Sequence, residues 1–273
     1  MLTLAEDFQN IIEKLDELIM SSQDYVKLNI HSPYKYSIQS AAQYLYYFGD
    51  NHSSNPEDPQ YNQLFLFWDE FLASTASQNR LVFIEGGLRS LRASLDEAII
   101  QNSTAGCIVY LAAQNGVEVQ SPDPNDQEFR KLLDPEFSRD EIQYYFFARM
   151  IAQWHRKKQL GISFEEYMSK SLATDKKQSS WEDYDFSLTN MFHVHRKLFG
   201  SEFDLNDVKF FKDIGNPHLN TRVNFVSRKI SRLRDQQIVL SILEALENGT
   251  NLFCVFGHGH AIVQEPALRE LIR

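Results

Sequence analysis

The chain has 273 residues, 43% of them hydrophobic and 23% charged, enough to bury a sizeable core in one large domain or in one domain with an insertion. Its formal net charge of −10 disfavours nucleic acid as a partner, because phosphate binding needs a concentrated basic surface and none stands out. No eighteen apolar residues run together, and Met1-Leu2-Thr3-Leu4-Ala5-Glu6-Asp7 carries no basic leader, so the expectation is a cytoplasmic protein with no membrane partner.

Leu4, Phe8, Ile11, Ile12, Leu15, Leu18 and Ile19 recur at helical spacing and predict an amphipathic helix over 4–19. Tyr44 to Phe48 predicts a buried strand that breaks at Gly49-Asp50-Asn51-His52. Ser53 to Pro59 supplies capping and helix-start residues, and helical periodicity resumes from Tyr61 to Leu72. Arg80-Leu81-Val82-Phe83-Ile84 is the next strand, ending at Glu85-Gly86-Gly87. The interval from His52 to Glu85 suits a strand-helix-strand crossover between parallel neighbours.

A helix over about 94–114 then stops at Asn115-Gly116, and Val117-Glu118-Val119 is a short strand ending at Ser121-Pro122-Asp123-Pro124. From Asn125 to Asn220 the pattern turns helical and aromatic, as in Glu141 to Trp154, which predicts a helical cap over 125–220 inserted into a single domain of 1–273. Within it, the polar stretch from Ser169 to Asp185 predicts a mobile surface loop. A long helix over about 227–247 stops at Asn248-Gly249, and the last strand, Leu252 to Phe256, runs into Gly257-His258-Gly259-His260. The class is α/β: a mostly parallel central sheet flanked by helices, with the helical insertion before the last helix-strand unit. Cys107 and Cys254 stand in apolar contexts and read as reduced core thiols.

Two apolar runs, near the two ends of the chain, thus stop at Gly-x-x-His. In an open parallel sheet, residues just past the strands converge on one crevice, and here those positions hold Asp50, His52, Glu85, Asp123, His258 and His260. Imidazoles and carboxylates are the ligand set for a divalent ion of the manganese, zinc, cobalt or iron kind with an activated water. The same set works without metal when a histidine is general base and Glu85 its partner. Bland readings stand beside these: a histidine after a strand also serves a turn, and Pro122-Asp123-Pro124 is an ordinary turn sequence. His193 and His195 read as a helix end, where cations suit the dipole.

Gly49-x-x-His52, a strand ending at Glu85, a late helix with Arg234-Asp235, and Val255-Phe256-Gly257-x-x-His260 together resemble the TraB/Tiki superfamily, which includes erythromycin esterase-like and ChaN-like proteins. The resemblance covers about residues 44–124 and 227–273 and leaves the helical insertion aside. It implies an α/β fold with its site at one sheet edge and, in Tiki-like members, metal-dependent peptidase activity. His52 and His260 match the motif histidines, Glu85 the strand-end acid, and Arg234-Asp235 the Arg-Asp pair of the esterase branch. This chain has Asp50 where that branch has glutamate and Gly257 where it has histidine.

The expectation is therefore a metal-dependent hydrolase of a peptide, ester or amide bond in a small-molecule or peptide substrate. His52, Glu85 and His260 would hold or activate a water, and Asp50, Asp123 or His258 would complete the shell. Arg234, with Asp235 beside it, would neutralise an oxyanion or grip a substrate carboxylate. Two alternatives remain open. Asp50-x-His52 and Gly257-His258-x-His260 also fit the outer motifs of calcineurin-like metallophosphoesterases, although that family's middle motifs do not occur. The same crevice also suits a non-catalytic protein that binds a peptide, haem or another small ligand.

Overall fold

The computed structural model describes residues 12–40, 42–76, 78–157 and 161–272. The chain folds as two compact units, one made of Met1–Asp123 with Arg234–Arg273 and the other of Pro124–Leu233.

The first unit is built on a five-stranded sheet of β1 (Tyr34–Gln39), β2 (Tyr44–Asp50), β3 (Arg80–Ile84), β4 (Glu118–Gln120) and β5 (Asn251–Gly257), in the order β1-β2-β5-β3-β4. β1 is antiparallel to β2, and every other pairing is parallel. The fold is thus α/β with a mostly parallel sheet. Sequence reasoning missed β1, although Tyr36 and Ile38 point inward and Lys35, Ser37 and Gln39 outward, the two-residue alternation of an edge strand with one wet face. The expected adjacency of β2 and β3 is corrected: they run parallel, but β5 lies between them. β5 is buried from Asn251 to Phe256, with no solvated face, so burial on both sides places it centrally.

Alternation along the strands sends side chains to two cores. Leu45, Tyr47, Leu252, Cys254 and Phe256 face one layer, and Tyr46, Phe48, Phe253 and Val255 face the other. The first layer is covered by the later part of α9 (Arg222–Glu247), through Ile238, Val239 and Ile242, and by α10 (His258–Leu271), through Ala261, Ala267 and Leu268. The second is covered by α2 (Pro59–Ser74) and α3 (Leu95–Gln114), through Leu64, Phe71, Ile108 and Ala112. The predicted helix over 4–19 falls partly outside the described residues; residues 12–18 are helical, and Leu15 and Ile19 join the first core. A single turn, α1 (Ser22–Tyr25), follows it.

Local signals set the ends. Asp58 caps α2 at Gln60 N with Pro59 at its first position, and Ser94 caps α3 at Glu97 N. α9 stops where Gly249, at φ 77°, lets Thr250 N return to Ala245 O at 3.0 Å. α3 also contains a break that periodicity did not announce: Ser103 has φ 51° and ψ −144°, so one helical run ends there and another begins at Thr104.

The second unit holds α4 (Asp126–Leu133), α5 (Arg139–Lys157), α6 (Phe164–Ser179), α7 (Leu188–Phe199), α8 (Val208–Ile214) and the start of α9. Its core is aromatic, with Tyr144, Phe147 and Phe211 almost fully buried. The stretch Ser169 to Asp185, expected as a surface loop, is mostly helix α6 instead. Met168, Leu172, Asp175 and Ser179 are buried at helical spacing, so a narrow inward stripe suffices to hold a segment whose remaining residues are polar. His195 lies within α7 and is buried: Tyr144 Oη and Ser201 Oγ hydrogen-bond its two ring nitrogens, and burial lowers its pKa below the ordinary value, against a charge at the dipole. Among the described residues, no helix is long and apolar enough to cross a membrane.

Candidate functional site

The central strands β2, β5 and β3 finish side by side, so three segments distant in sequence share one edge. Asp50 is in register with Gly257, and Glu85 N donates to Val255 O at 3.2 Å. The two glycines of the Gly-x-x-His signatures serve this meeting reciprocally. A Cβ on Gly49 would stand 2.8 Å from His258 Cα and 2.7 Å from Ala261 Cβ, so only glycine lets the start of α10 approach β2. A Cβ on Gly257 would stand 3.1 Å from His52 Nε2 and 3.3 Å from Glu85 Oε2, so its absence leaves the room that the His52 ring uses. His52 itself has φ 54°, a left-handed conformation unusual outside glycine, asparagine and aspartate.

Glu85 is the hub. Its Oε2 accepts from Gly257 N at 2.7 Å and lies 3.4 Å from His52 Nε2. Its Oε1 accepts from Arg234 Nη2 at 3.0 Å and lies 3.6 Å from His260 Nε2. Arg234 also reaches Asp123 Oδ1, through Nε at 3.0 Å, and the other Asp123 oxygen accepts from Gly86 N. Behind His260, Nδ1 meets Asp235 Oδ1 at 2.7 Å, the same oxygen accepts from Gln264 Nε2 at 2.7 Å, and Tyr47 Oη donates to Gln264 Oε1 at 2.8 Å. On the other side, His52 Nδ1 stands 2.9 Å from Asp50 Oδ1. That contact is close but not aligned as a hydrogen bond, since this oxygen is fully buried and no described donor is aligned with it. The carboxylate is 1% exposed and the imidazole 55%, so Asp50 anchors a ring that solvent and a ligand can reach.

These neighbours set the charge states. Burial alone would raise the Glu85 carboxyl, but His260, Arg234 and the Gly257 N–H outweigh it and hold it well below the usual carboxylate range. Burial alone would lower His260, but Asp235 and Glu85 raise it to about 10, so this imidazole is a cation at neutral pH. His52 is raised above 6.5, first by its contact with Asp50, against the opposing effect of burial, and then by the charges of Asp50 and Glu85.

All eight residues singled out in the sequence therefore lie at one edge, but not in one role. Asp50, His52, Glu85, Asp123, Arg234, Asp235 and His260 form a continuous polar network. His258 turns aside: Nδ1 faces the Asp50 carbonyl at 3.3 Å and Nε2 faces Tyr25 Oη at 3.4 Å. Arg234 is committed to two carboxylates. Beside His52 opens a cavity of about 210 Å³ lined by Asp50, His52, Glu85, Gly86, Arg89, Ser103, Ala105 and Val255. Sequence reasoning missed Arg89, which braces the turn after β3 by donating to the carbonyls of Gly86 and Gly87 at 2.7 Å and of Glu85 at 3.2 Å. It also missed Gln264 and Ser103; nothing in their local sequence distinguishes the first from a buried helical amide or the second from a polar helix residue.

Two of the donors implied as metal ligands are already engaged by a cation. Glu85 and Asp123 take a guanidinium and backbone N–H groups, whereas His260, held by Asp235 through Nδ1, keeps Nε2 3.6 Å from Glu85, and His52 Nε2 stands 3.4 Å from the same carboxylate. A cation entering here would have to displace Arg234 or stand against its charge, and among the described residues no three or more His, Cys, Asp or Glu side chains are grouped to hold an ion. As placed, Arg234 opposes a cation at Glu85 and Asp123. Comparison with protein-family models, curated proteins and solved structures returned no match.

Proposed function

We propose that the protein is a hydrolase of an ester or amide bond in a small molecule or peptide, with His52 as general base at the carboxyl edge of the sheet. The observation that carries this reading is the His52–Asp50 pair at the cavity: an accessible imidazole whose Nδ1 stands 2.9 Å from a buried carboxylate and whose Nε2 lies 3.4 Å from Glu85 Oε2. Asp50 and Glu85 lie where they stabilise the imidazolium formed when His52 takes a proton. Glu85 is itself held ionised by Arg234 and the Gly257 N–H, so it supplies fixed charge rather than a proton. The resemblance to the TraB/Tiki superfamily supports hydrolysis as the reaction class, and the Arg234 cation beside Glu85 and Asp123 supports chemistry that needs no resident metal.

The test is release of p-nitrophenol from short p-nitrophenyl esters and of p-nitroaniline from peptide anilides, with chelator present. Turnover should survive chelation and fall at least about a hundredfold in His52→Asn. Loss on chelation with recovery on adding manganese, zinc or cobalt would restore the metal-dependent expectation in place of this one. Manganese-dependent release from bis(p-nitrophenyl) phosphate alone would favour the phosphoesterase, and thermal stabilisation by haem or peptide without any turnover would favour a binding protein.

A further inference from the structure

Three described non-glycine residues have positive φ: His52, Ser103 and Ser180. Two of them, His52 and Ser103, line the same cavity. Ser103 has φ 51° and ψ −144°, a region that residues with a side chain avoid and that persists where the surroundings enforce it. The enforcement is visible at Gly106, where a Cβ would stand 2.2 Å from Ala98 O and 2.7 Å from Asn102 Cβ, so the run beginning at Thr104 closes tightly on the run before it. The corner is thus a built element of α3.

A serine at the start of a helical run ordinarily caps it, as Ser94 does at the start of α3 by accepting from Glu97 N. Ser103 makes no such bond, and no described residue hydrogen-bonds its hydroxyl. The group stays available in a cavity whose other walls carry the His52–Asp50 pair. Ala105, in the first turn of the run beyond the corner, borders the same space, where the N–H groups of a helix start favour developing negative charge.

We infer that Ser103 is the nucleophile of a serine hydrolase that uses His52 and Asp50 as its base pair; this rests on the hydrolase reading above and specifies its substrates as acyl esters or amides that form an acyl-enzyme. In acylation, Ser103 Oγ bonds to the carbonyl carbon as its proton passes to His52 Nε2. Collapse of the adduct breaks the bond to the leaving alcohol or amine, which takes that proton from His52. Water then attacks the acyl-serine in the same way, releasing the acid and restoring the hydroxyl.

The experiment uses the full chain and a short alkyl fluorophosphonate, which reports a nucleophilic serine by forming a P–O bond and releasing fluoride. Wild type should gain one adduct, located on Ser103 by peptide mass spectrometry, and His52→Asn should slow that labelling. Ser103→Gly should gain none and lose ester turnover by at least about a hundredfold, while melting roughly 2–4 °C higher, because glycine adopts this backbone freely. The gain in Tm separates a lost nucleophile from a lost fold. An adduct elsewhere, or full turnover in Ser103→Gly, overturns the inference. If His52→Asn is inactive in that case, water attacks the substrate directly and the hydrolase reading stands. A wild type with neither turnover nor adduct removes both.

Discussion

The imidazole of His52 occupies the space that a side chain on Gly257 would take: a Cβ there would lie 3.1 Å from His52 Nε2. One Gly-x-x-His signature thus makes room for the histidine of the other, and Gly49 does the same for the backbone of His258. The relationship separates two kinds of damage. Gly49→Ala forces a Cβ against backbone and Ala261 and should destabilise by about 1–3 kcal/mol in urea unfolding. Gly257→Ala meets only movable side-chain atoms there, so its unfolding midpoint should stay near wild type while ester turnover falls, the His52 ring having been displaced. Equal loss of stability in both variants would refute the distinction.

Arg234 is the cation that lets Glu85 and Asp123 share one edge, at 3.0 Å from each. Arg234→Met should leave both carboxylates uncompensated and cost toward the lower end of the roughly 3–5 kcal/mol typical of a broken buried pair, since these side chains retain some solvent contact. Combining it with Asp123→Asn should recover part of that loss. A double-mutant cycle in urea measures the coupling, and additivity would show that the pair is not coupled.

The His260 cation makes stability depend on pH. Its folded pKa, about 10, lies above the ordinary 6.5, so the contribution is fully present below pH 6.5 and is lost as pH rises through about 10. Unfolding free energy should therefore decline across this window, by no more than about 1.4 kcal/mol per pH unit for one proton. His260→Gln should flatten that decline. A wild-type profile unchanged between pH 6.5 and 10 would contradict the assignment. At the acid end, Glu85 acts with the opposite sign: its contribution is present above 4.5 and lost as the carboxyl protonates below it.

His52 must be neutral to accept a proton, and its pKa is raised above 6.5 with the Asp50 contact as the first cause. The pH profile of kcat/KM for ester hydrolysis should rise through a midpoint above 6.5. Asp50→Asn should shift that midpoint down, because the principal raising influence is gone, and should also lower the plateau. A midpoint that stays in place in this variant would assign the titration to another group.

Much of this was legible along the chain because the signals are local. A short apolar run closed by glycine marks a buried strand and its turn, which located β2, β3 and β5 and with them Asp50, His52, Glu85, His258 and His260. β1 and α6 escaped because their inward stripes, two residues in β1 and five in α6, sit in otherwise polar sequence. Strand order escaped because burial of β5 on both faces, rather than connection length, puts it between β2 and β3. The bend at Ser103 escaped because the periodicity of α3 runs straight through it; Gly106 looks like a tolerated helix glycine until the Ala98 carbonyl is found beside it.

By itself, the sequence determined the class of the fold and which polar residues end the strands, since hydrophobic period and chain-breaking residues are properties of neighbours along the chain. Tertiary structure decided the roles. It gave Glu85 to Arg234 and Gly257, His260 to Asp235, and His258 to the Asp50 carbonyl and Tyr25, and it left His52 and Ser103 facing one cavity. Charge state, access and free hydrogen-bonding capacity depend on what lies within a few ångströms in space, and spacing along the chain does not carry that information.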